Sequence, residues 1–255
     1  MIKNKPLISY ILPVYQAESF IYKNLSLFAK YCADSNQTSE IIAVNDGSTD
    51  RTDEIIEAYL RENNDKVQIK YINLPENKGK GFAIKEGIEI AEGQYIIFTD
   101  CDLPYSFKNI SDVVNNLINN GSNVVIASRM HKDSIYRIRA RNIRWIYIRH
   151  TAGRIYNWII NLFTYLNIED TQAGLKGFDR ATAELIFKKM TIKGFSFDVD
   201  ILTCAKENNK KITTIPIEFN YESEMTTINF IRQTFVMTFD LFRVFLKKIT
   251  GWYRR

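Results

Sequence analysis

The stretch "YIIFTDCDLPYS" (95–106) sets an apolar run, Tyr95 to Phe98, against two carboxylates, Asp100 and Asp102, with Cys101 between them. A short run without polar alternation reads as a strand buried on both faces. Working outward, similar runs recur at "LISYILP" (7–13), "EIIAVND" (40–46) and "NVVIAS" (123–128), while "KVQIKYI" (66–72) alternates with period two. Helices are expected between them near 18–33, 51–63, 80–92 and 106–120, the second with Ser48, Thr49 and Asp50 ahead of it as candidate caps. Strand–helix alternation with continuously apolar strands predicts an α/β fold, a mainly parallel central sheet with helices on both faces.

In such sheets ligands bind beyond the carboxyl ends of the strands, near a switch in strand order. Those ends carry Pro13 and Tyr15, then Asp46-Gly47-Ser48, then Asp100 and Asp102, then Ser128-Arg129. Four polar sets at four strand ends point to one site. The paired acids have two competing readings. They cap the helix opening near Ser106, or they hold Mg²⁺ or Mn²⁺, which favour oxygen ligands and are often bound by one or two carboxylates plus substrate phosphates. Asp46 is placed to hydrogen-bond a base or ribose. "NKGKGFAIKEG" (77–87) is a lysine-bearing helix entry suited to anions, although it lacks the Gly-Lys-Ser/Thr ending of a Walker A loop.

The second half is less regular. A helix over 147–166 carries a polar stripe of His150, Arg154, Asn157, Asn161 and Thr164, with most of its remaining surface apolar. Residues 170–180 read as loop and turn, 197–208 as helix, 211–221 as extended, and 228–249 as a helix. In that last helix Asn229, Arg232, Gln233, Asp240, Arg243 and Lys247 share one narrow face. The expected division is a catalytic domain over 1–225, including a basic, amphipathic insertion at 136–166, and a helical appendage over 226–255.

Composition excludes several classes. With 255 residues, 45% of them hydrophobic, the chain supports a real core. Its three scattered cysteines and two histidines form neither a disulfide framework nor a zinc motif, which makes a reducing, cytosolic setting the expectation. No apolar stretch reaches the ~18 residues needed to span a bilayer, and "MIKNKPLISYILPVY" does not read as a signal peptide. Six arginines and no acid occupy 137–154, so of the net charge of +5 the remainder of the chain carries −1. One basic patch on a neutral protein is unlike a nucleic-acid binder. Trp145, Tyr147, Trp158 and Tyr165 beside those arginines, and the ending Trp252-Tyr253-Arg254-Arg255, suit a membrane interface or a second subunit.

In order along the chain, "ILPVYQAES", "VNDGSTDRT", "NKGKGFAIKEG", "YIIFTDCDLP", "ASR", "DTQAGLKGF" and "FSFDVDIL" resemble family 2 glycosyltransferases of the GT-A fold. Within that family the chain most resembles polyprenyl-phosphate sugar synthases of the dolichyl-phosphate glucose synthase group, and the likeness reaches "DLFRVFLKKITGW" at the end. The resemblance implies an inverting transfer from a nucleotide-sugar donor, with UDP-glucose expected ahead of GDP-mannose. It implies that Pro13, Tyr15, Glu18, Asp46 and Lys80 line the nucleotide, that Asp100 meets the ribose or metal, and that Asp102 ligates a Mg²⁺ or Mn²⁺ bridging the diphosphate. A lipid-phosphate oxygen is already ionised, so it needs positioning more than a general base. Arg129 matches an acceptor-phosphate position and Arg149 is a second candidate, while Gln172, Asp198 and Asp200 match orienting positions on the acceptor side. The branch often carries a membrane-spanning helix ahead of the first strand, whereas here six residues precede "LISYILP". It also usually has Ser-Lys after the extended segment, where this chain reads Met225-Thr226. The expected setting is peripheral, on the cytoplasmic face of a membrane. A hydroxyl acceptor would instead need a base, Asp198 or Asp200, and a non-catalytic lipid-binding module would leave the strand-end residues unexplained.

Overall fold

The computed structural model describes residues 5–62, 67–138, 143–221 and 230–254, of which 136–138, 143–152, 219–221 and 230–235 are described as backbone alone. The first half alternates as expected: β1 (Ile8–Val14), α1 (Ile21–Asp34), β2 (Ser39–Asn45), α2 (Thr52–Glu62), β3 (Gln68–Asn73), α3 (Lys80–Ile90), β4 (Tyr95–Phe98), α4 (Phe107–Asn119) and β5 (Val124–Ser128). There follow β6 (Ile135–Ile138), α5 (Ile143–Thr164), β7 (Lys176–Asp179), α6 (Arg180–Lys189), α7 (Phe197–Glu207), β8 (Ile212–Pro216), β9 (Glu218–Tyr221), α8 (Phe230–Ile249) and a closing 3₁₀ turn, Trp252–Arg254.

Seven strands form one sheet in the order β3-β2-β1-β4-β7-β5-β8, and β6 pairs with β9 in a separate ribbon. Within the large sheet β7 alone runs antiparallel, between β4 and β5. Alternate side chains face opposite layers, as strand geometry requires. Tyr10, Leu12, Ile41, Ile97 and Val125 pack with α1, Tyr59 of α2 and α4. Ile11, Ile42, Val44, Ile96, Phe98 and Ile126 pack with α3, α6, α7 and α8.

β7 lies where loop and turn were expected, and α6 follows it over a stretch for which no element was read. "KGFD" hides a strand because its lysine and glycine are there for tertiary reasons. Lys176 is wholly buried against Asp198, and a Cβ at Gly177 would stand 2.6 Å from Val113 Cγ1. The cap reading of the paired acids is also settled. Ser106 is the N-cap of α4, closing a capping box with Asn109, so neither Asp100 nor Asp102 caps it.

α5 and α8 pack on each other and turn part of their polar stripes inward, Arg243 of α8 staying exposed. Asn157 and Asn161 of α5 bond to the Ile168 carbonyl beneath the helix, and buried Thr164 bonds back to the Ile160 carbonyl of α5 itself, while Ile155, Trp158, Leu162 and Tyr165 are exposed. In α8, Asp240, Leu241 and Val244 are buried, while Phe239, Phe242, Leu246 and Ile249 are exposed. Arg154 is exposed. Side chains of the remaining residues in the expected basic patch, and those of Asn229, Arg232 and Gln233, lie outside the described residues. No described helix is long and apolar enough to cross a membrane.

Candidate active site

Above the carboxyl ends of β1 and β2, two loops are laced together. The Gln16 N–H donates to Ser48 Oγ (2.9 Å), Gln16 Nε2 to Thr49 Oγ1 (2.7 Å) and the Ala17 N–H to Thr52 Oγ1 (2.8 Å). Asp50 takes the cap role, accepting the Thr52 N–H at 3.1 Å, while Ser48 and Thr49 serve the β1 loop instead. Pro13 sits in β1 opposite Val44, and Tyr15 beyond it is exposed. Glu18 is exposed, with Oε2 accepting the Arg51 N–H at 3.0 Å.

Asp46 is buried and accepts the N–H groups of Lys78 (2.8 Å) and Gly79 (2.9 Å). It therefore holds the 77–79 loop at the site. Gly47 adopts φ 65° with the Glu76 backbone so close that a Cβ would overlap it. Its close approach is to protein backbone. The Phe82 N–H, in turn, donates to the Lys193 carbonyl at 3.2 Å. Three of the N–H groups here are thus committed to protein acceptors, and the Lys80 side chain brings a full positive charge to the same place.

Lys80 forms an ion pair with Asp100. Burial opposes its charge, yet the carboxylates of Asp100, Asp198 and Asp102 outweigh that and hold the ammonium above its ordinary range. Asp102 is exposed at the mouth. Between them the Cys101 thiol is pushed up by burial and by both acids, so it is not a nucleophile at neutral pH. Asp100 packs against Gly174 so closely that a Cβ there would overlap the carboxylate unless Asp100 moved. No cluster of three acid, Cys or His donors is found among the described residues; Asp100 and Asp102 are the oxygen donors here that could hold a hard divalent cation, which would need further oxygens from a bound ligand.

At the end of β5, Arg129 is held by Asp170. Nε and Nη2 donate to its two oxygens at 2.8 and 3.0 Å, and the Arg129 backbone N–H adds a third bond at 3.0 Å. Burial opposes ionisation of Asp170, but Arg129 prevails and keeps the carboxyl below its usual range. Gln172 is half-buried beside it, its N–H donating to Asp170 Oδ1 at 3.2 Å. Tyr105, buried between the two sides, accepts the Gly174 N–H on its hydroxyl at 2.7 Å. Burial keeps that phenol protonated.

α7 carries Asp198 and Asp200 on opposite faces. Asp198 bonds Lys176 Nζ at 2.7 Å beneath the cleft. Burial disfavours both charges, pushing Lys176 down and Asp198 up. Asp200 is not brought to the site. Its oxygens accept from the N–H groups of Thr191 and Ile192 (2.8 and 3.1 Å), from Lys247 Nζ (2.6 Å) and from the Tyr253 hydroxyl (2.5 Å). The carboxylate thus pins α8 and the chain's end to α7. Arg149 lies on α5, but its side chain is outside the described residues.

The sequence model described as Glycosyl transferase family 2 matches residues 9–187, from β1 through most of α6. The chain belongs to glycosyl transferase family 2. It is 26% identical over 252 residues to a dolichyl-phosphate beta-glucosyltransferase of Dictyostelium discoideum, covering 96% of this chain and 75% of that protein. It is 28% identical over 251 residues to the Homo sapiens protein of the same name, covering 95% and 73%. Among solved structures, glucosyl-3-phosphoglycerate synthase from Mycobacterium tuberculosis, in complex with Mn²⁺, UDP and glucosyl-3-phosphoglycerate, superimposes with a TM-score of 0.65 at 16% identity, covering 95% of this chain and 79% of that one. That likeness establishes the GT-A fold expected from the sequence.

Asp170, Lys176, Tyr105 and Gly174 were not singled out as site residues. Three of them lie inside "DTQAGLKGF", one of the segments that carry the resemblance, so its remaining polar positions were the available signal.

Proposed function

We propose that this family 2 enzyme transfers a hexose, glucose from UDP-glucose, with inversion onto polyprenyl phosphate at a membrane surface. The observation that carries the reading is the convergence of two charged sets around Tyr105: Asp100 with Lys80 on one side, and the carboxylate-gripped Arg129 on the other. It is supported by the dolichyl-phosphate beta-glucosyltransferases aligned over more than nine-tenths of the chain.

On the donor wall, Pro13, Tyr15, Glu18 and the loop hung from Asp46 line the nucleotide. Asp102 and Asp100 would hold Mg²⁺ or Mn²⁺, which offsets charge on the departing diphosphate. Lys80, kept cationic by its neighbours, adds positive charge there. On the acceptor wall, the Arg129 fork receives the phosphate, with Gln172 beside it and Arg149 as a second cation. An ionised phosphate oxygen attacks the anomeric carbon as the bond to the diphosphate breaks on the opposite face, so no proton need be removed. The burial of Asp198 and Asp200, each already bonded to lysine, supports this over a hydroxyl acceptor needing a general base. Asp198 instead supports the cleft floor through Lys176.

The membrane reading is supported by α5 and α8, whose outward faces carry Trp158, Leu162, Phe239, Phe242 and Leu246 beside the exposed Arg154 and Arg243. Such surfaces lie at the boundary between headgroups and acyl chains. Residues 1–225 act as the catalytic unit in this reading, with 226–255 as its membrane-facing appendage. The test is transfer of radiolabelled sugar from UDP-glucose or GDP-mannose to short-chain polyprenyl phosphate, with Mn²⁺ or chelator. Metal-dependent label from UDP-glucose in the lipid phase is expected. Donor hydrolysis without lipid label would overturn the acceptor, and label from GDP-mannose alone would overturn the sugar.

A further inference from the structure

The segment between α5 and β7 touches Arg129 through Asp170 and Asp100 through Gly174. Asp170 grips one edge of Arg129 from inside: its side chain is 5% exposed against 33% for the arginine, which still reaches solvent. The residues on either side of Asp170 hang from α5. Asn157 Nδ2 donates to the carbonyls of Ile168 and Glu169, both at 2.8 Å. Its Oδ1 accepts the Thr171 N–H at 3.2 Å and the Thr171 hydroxyl at 2.9 Å. A side-chain amide offers two donors and two acceptor sites, and Asn157 commits all four to residues 168–171. Asn161 adds two more bonds at Ile168, 2.9 Å to its carbonyl and 3.2 Å from its N–H. Asp170 is the residue these bonds enclose.

We propose that Asn157 and Asp170 are positioning residues for Arg129, Asn157 splinting the 168–171 loop and Asp170 fixing the plane of the guanidinium that receives the acceptor phosphate. What Arg129 receives rests on the lipid-phosphate reading; the relay itself does not. A guanidinium held along one edge is fixed in plane before the ligand arrives, which lowers the ordering cost of binding. The same helix turns Ile155, Trp158 and Leu162 outward, so one rod carries both the apolar face and the support of the acceptor clamp.

Three variants of the full chain test this: Asn157→Ala, the milder Thr171→Val, which removes only the hydroxyl, and Arg129→Lys. The first readout is hydrogen exchange of the Arg129 Nε–H by NMR, assigned by its loss in Arg129→Lys. Exchange should quicken about tenfold in Asn157→Ala and less in Thr171→Val as the loop loosens. The second readout is kinetic. The KM for polyprenyl phosphate should rise about tenfold in Asn157→Ala with the donor KM unchanged, and by less than about twofold when Arg129 is already lysine. Unchanged Nε–H exchange in folded Asn157→Ala or Thr171→Val overturns the relay. So does an equal rise in both KM values, or full additivity with Arg129→Lys. If Asn157→Ala does not fold, Thr171→Val decides. Wild type that labels no lipid, with the Nε–H still responding to Asn157→Ala, would sink the acceptor reading and leave the relay standing.

Discussion

Gly174→Ala is the smallest change that separates the site's geometry from its composition. A methyl group there would overlap Asp100 Oδ2 and stand 2.8 Å from Cγ. The backbone has little room to retreat, because the Gly174 N–H is bonded to Tyr105 at 2.7 Å and β7 begins two residues later, between β4 and β5. Asp100 must therefore swing away and give up Lys80. Overpacking of this kind costs about 1–3 kcal/mol, which for a chain of this size lowers Tm by about 2–12 °C. Displacing the carboxylate by about 1 Å should cost transfer about 100-fold, or about 2.7 kcal/mol of barrier. The assay is kcat/KM for label transfer across a Mn²⁺ titration, alongside a thermal melt. Gly194→Ala is the control, since nothing lies within 4 Å of its Cβ position, and it should change neither. A Gly174→Ala enzyme with wild-type kcat/KM and unchanged metal dependence would refute the placement of Asp100 in the donor site.

The Lys176–Asp198 pair is wholly buried on the lysine side, so Lys176→Met alone should cost about 3–5 kcal/mol in urea denaturation, while Lys176→Met with Asp198→Leu recovers most of it; equal losses would place water at the pair. Tyr253→Phe removes the hydroxyl bond to Asp200 and should cost about 1.5–3 kcal/mol of stability with the donor KM unmoved. A raised donor KM would instead connect α8 to the nucleotide wall. Asp170, whose folded pKa is lowered with Arg129 as the main opposing charge, contributes stability that is present above its unfolded value of about 3.9 and lost as pH falls through the folded one. Asp170→Asn should therefore flatten the acid limb of the stability profile below pH about 4, and an unchanged limb would contradict the pair's role.

What the sequence displays is what periodicity and strand ends can display. β1, β2, β4 and β5 are continuous apolar runs whose last residues are the polar ones, so Asp46, Asp100, Asp102 and Arg129 were legible together with the layer order. β7 was not, because the rule that marks a buried strand is broken there by Lys176 and Gly177, each for a partner far away in sequence. Asp200 misled for the opposite reason. It shares a motif with Asp198, but two positions along a helix point to opposite faces, and the docked end of the chain claimed it. Asp170 carries no local signal, since its meaning comes from an arginine 41 residues away.

The two walls make the central claim testable by separating two reactions of one enzyme. Asp102→Ala should lose both metal-dependent hydrolysis of UDP-glucose and transfer to polyprenyl phosphate. Arg129→Ala should lose transfer by about 10²–10³-fold, the usual cost of removing a charge-stabilising donor, while hydrolysis of the donor continues at the wild-type rate. Transfer that survives in Arg129→Ala, or hydrolysis lost equally in both variants, would contradict the division of the cleft into donor and acceptor walls.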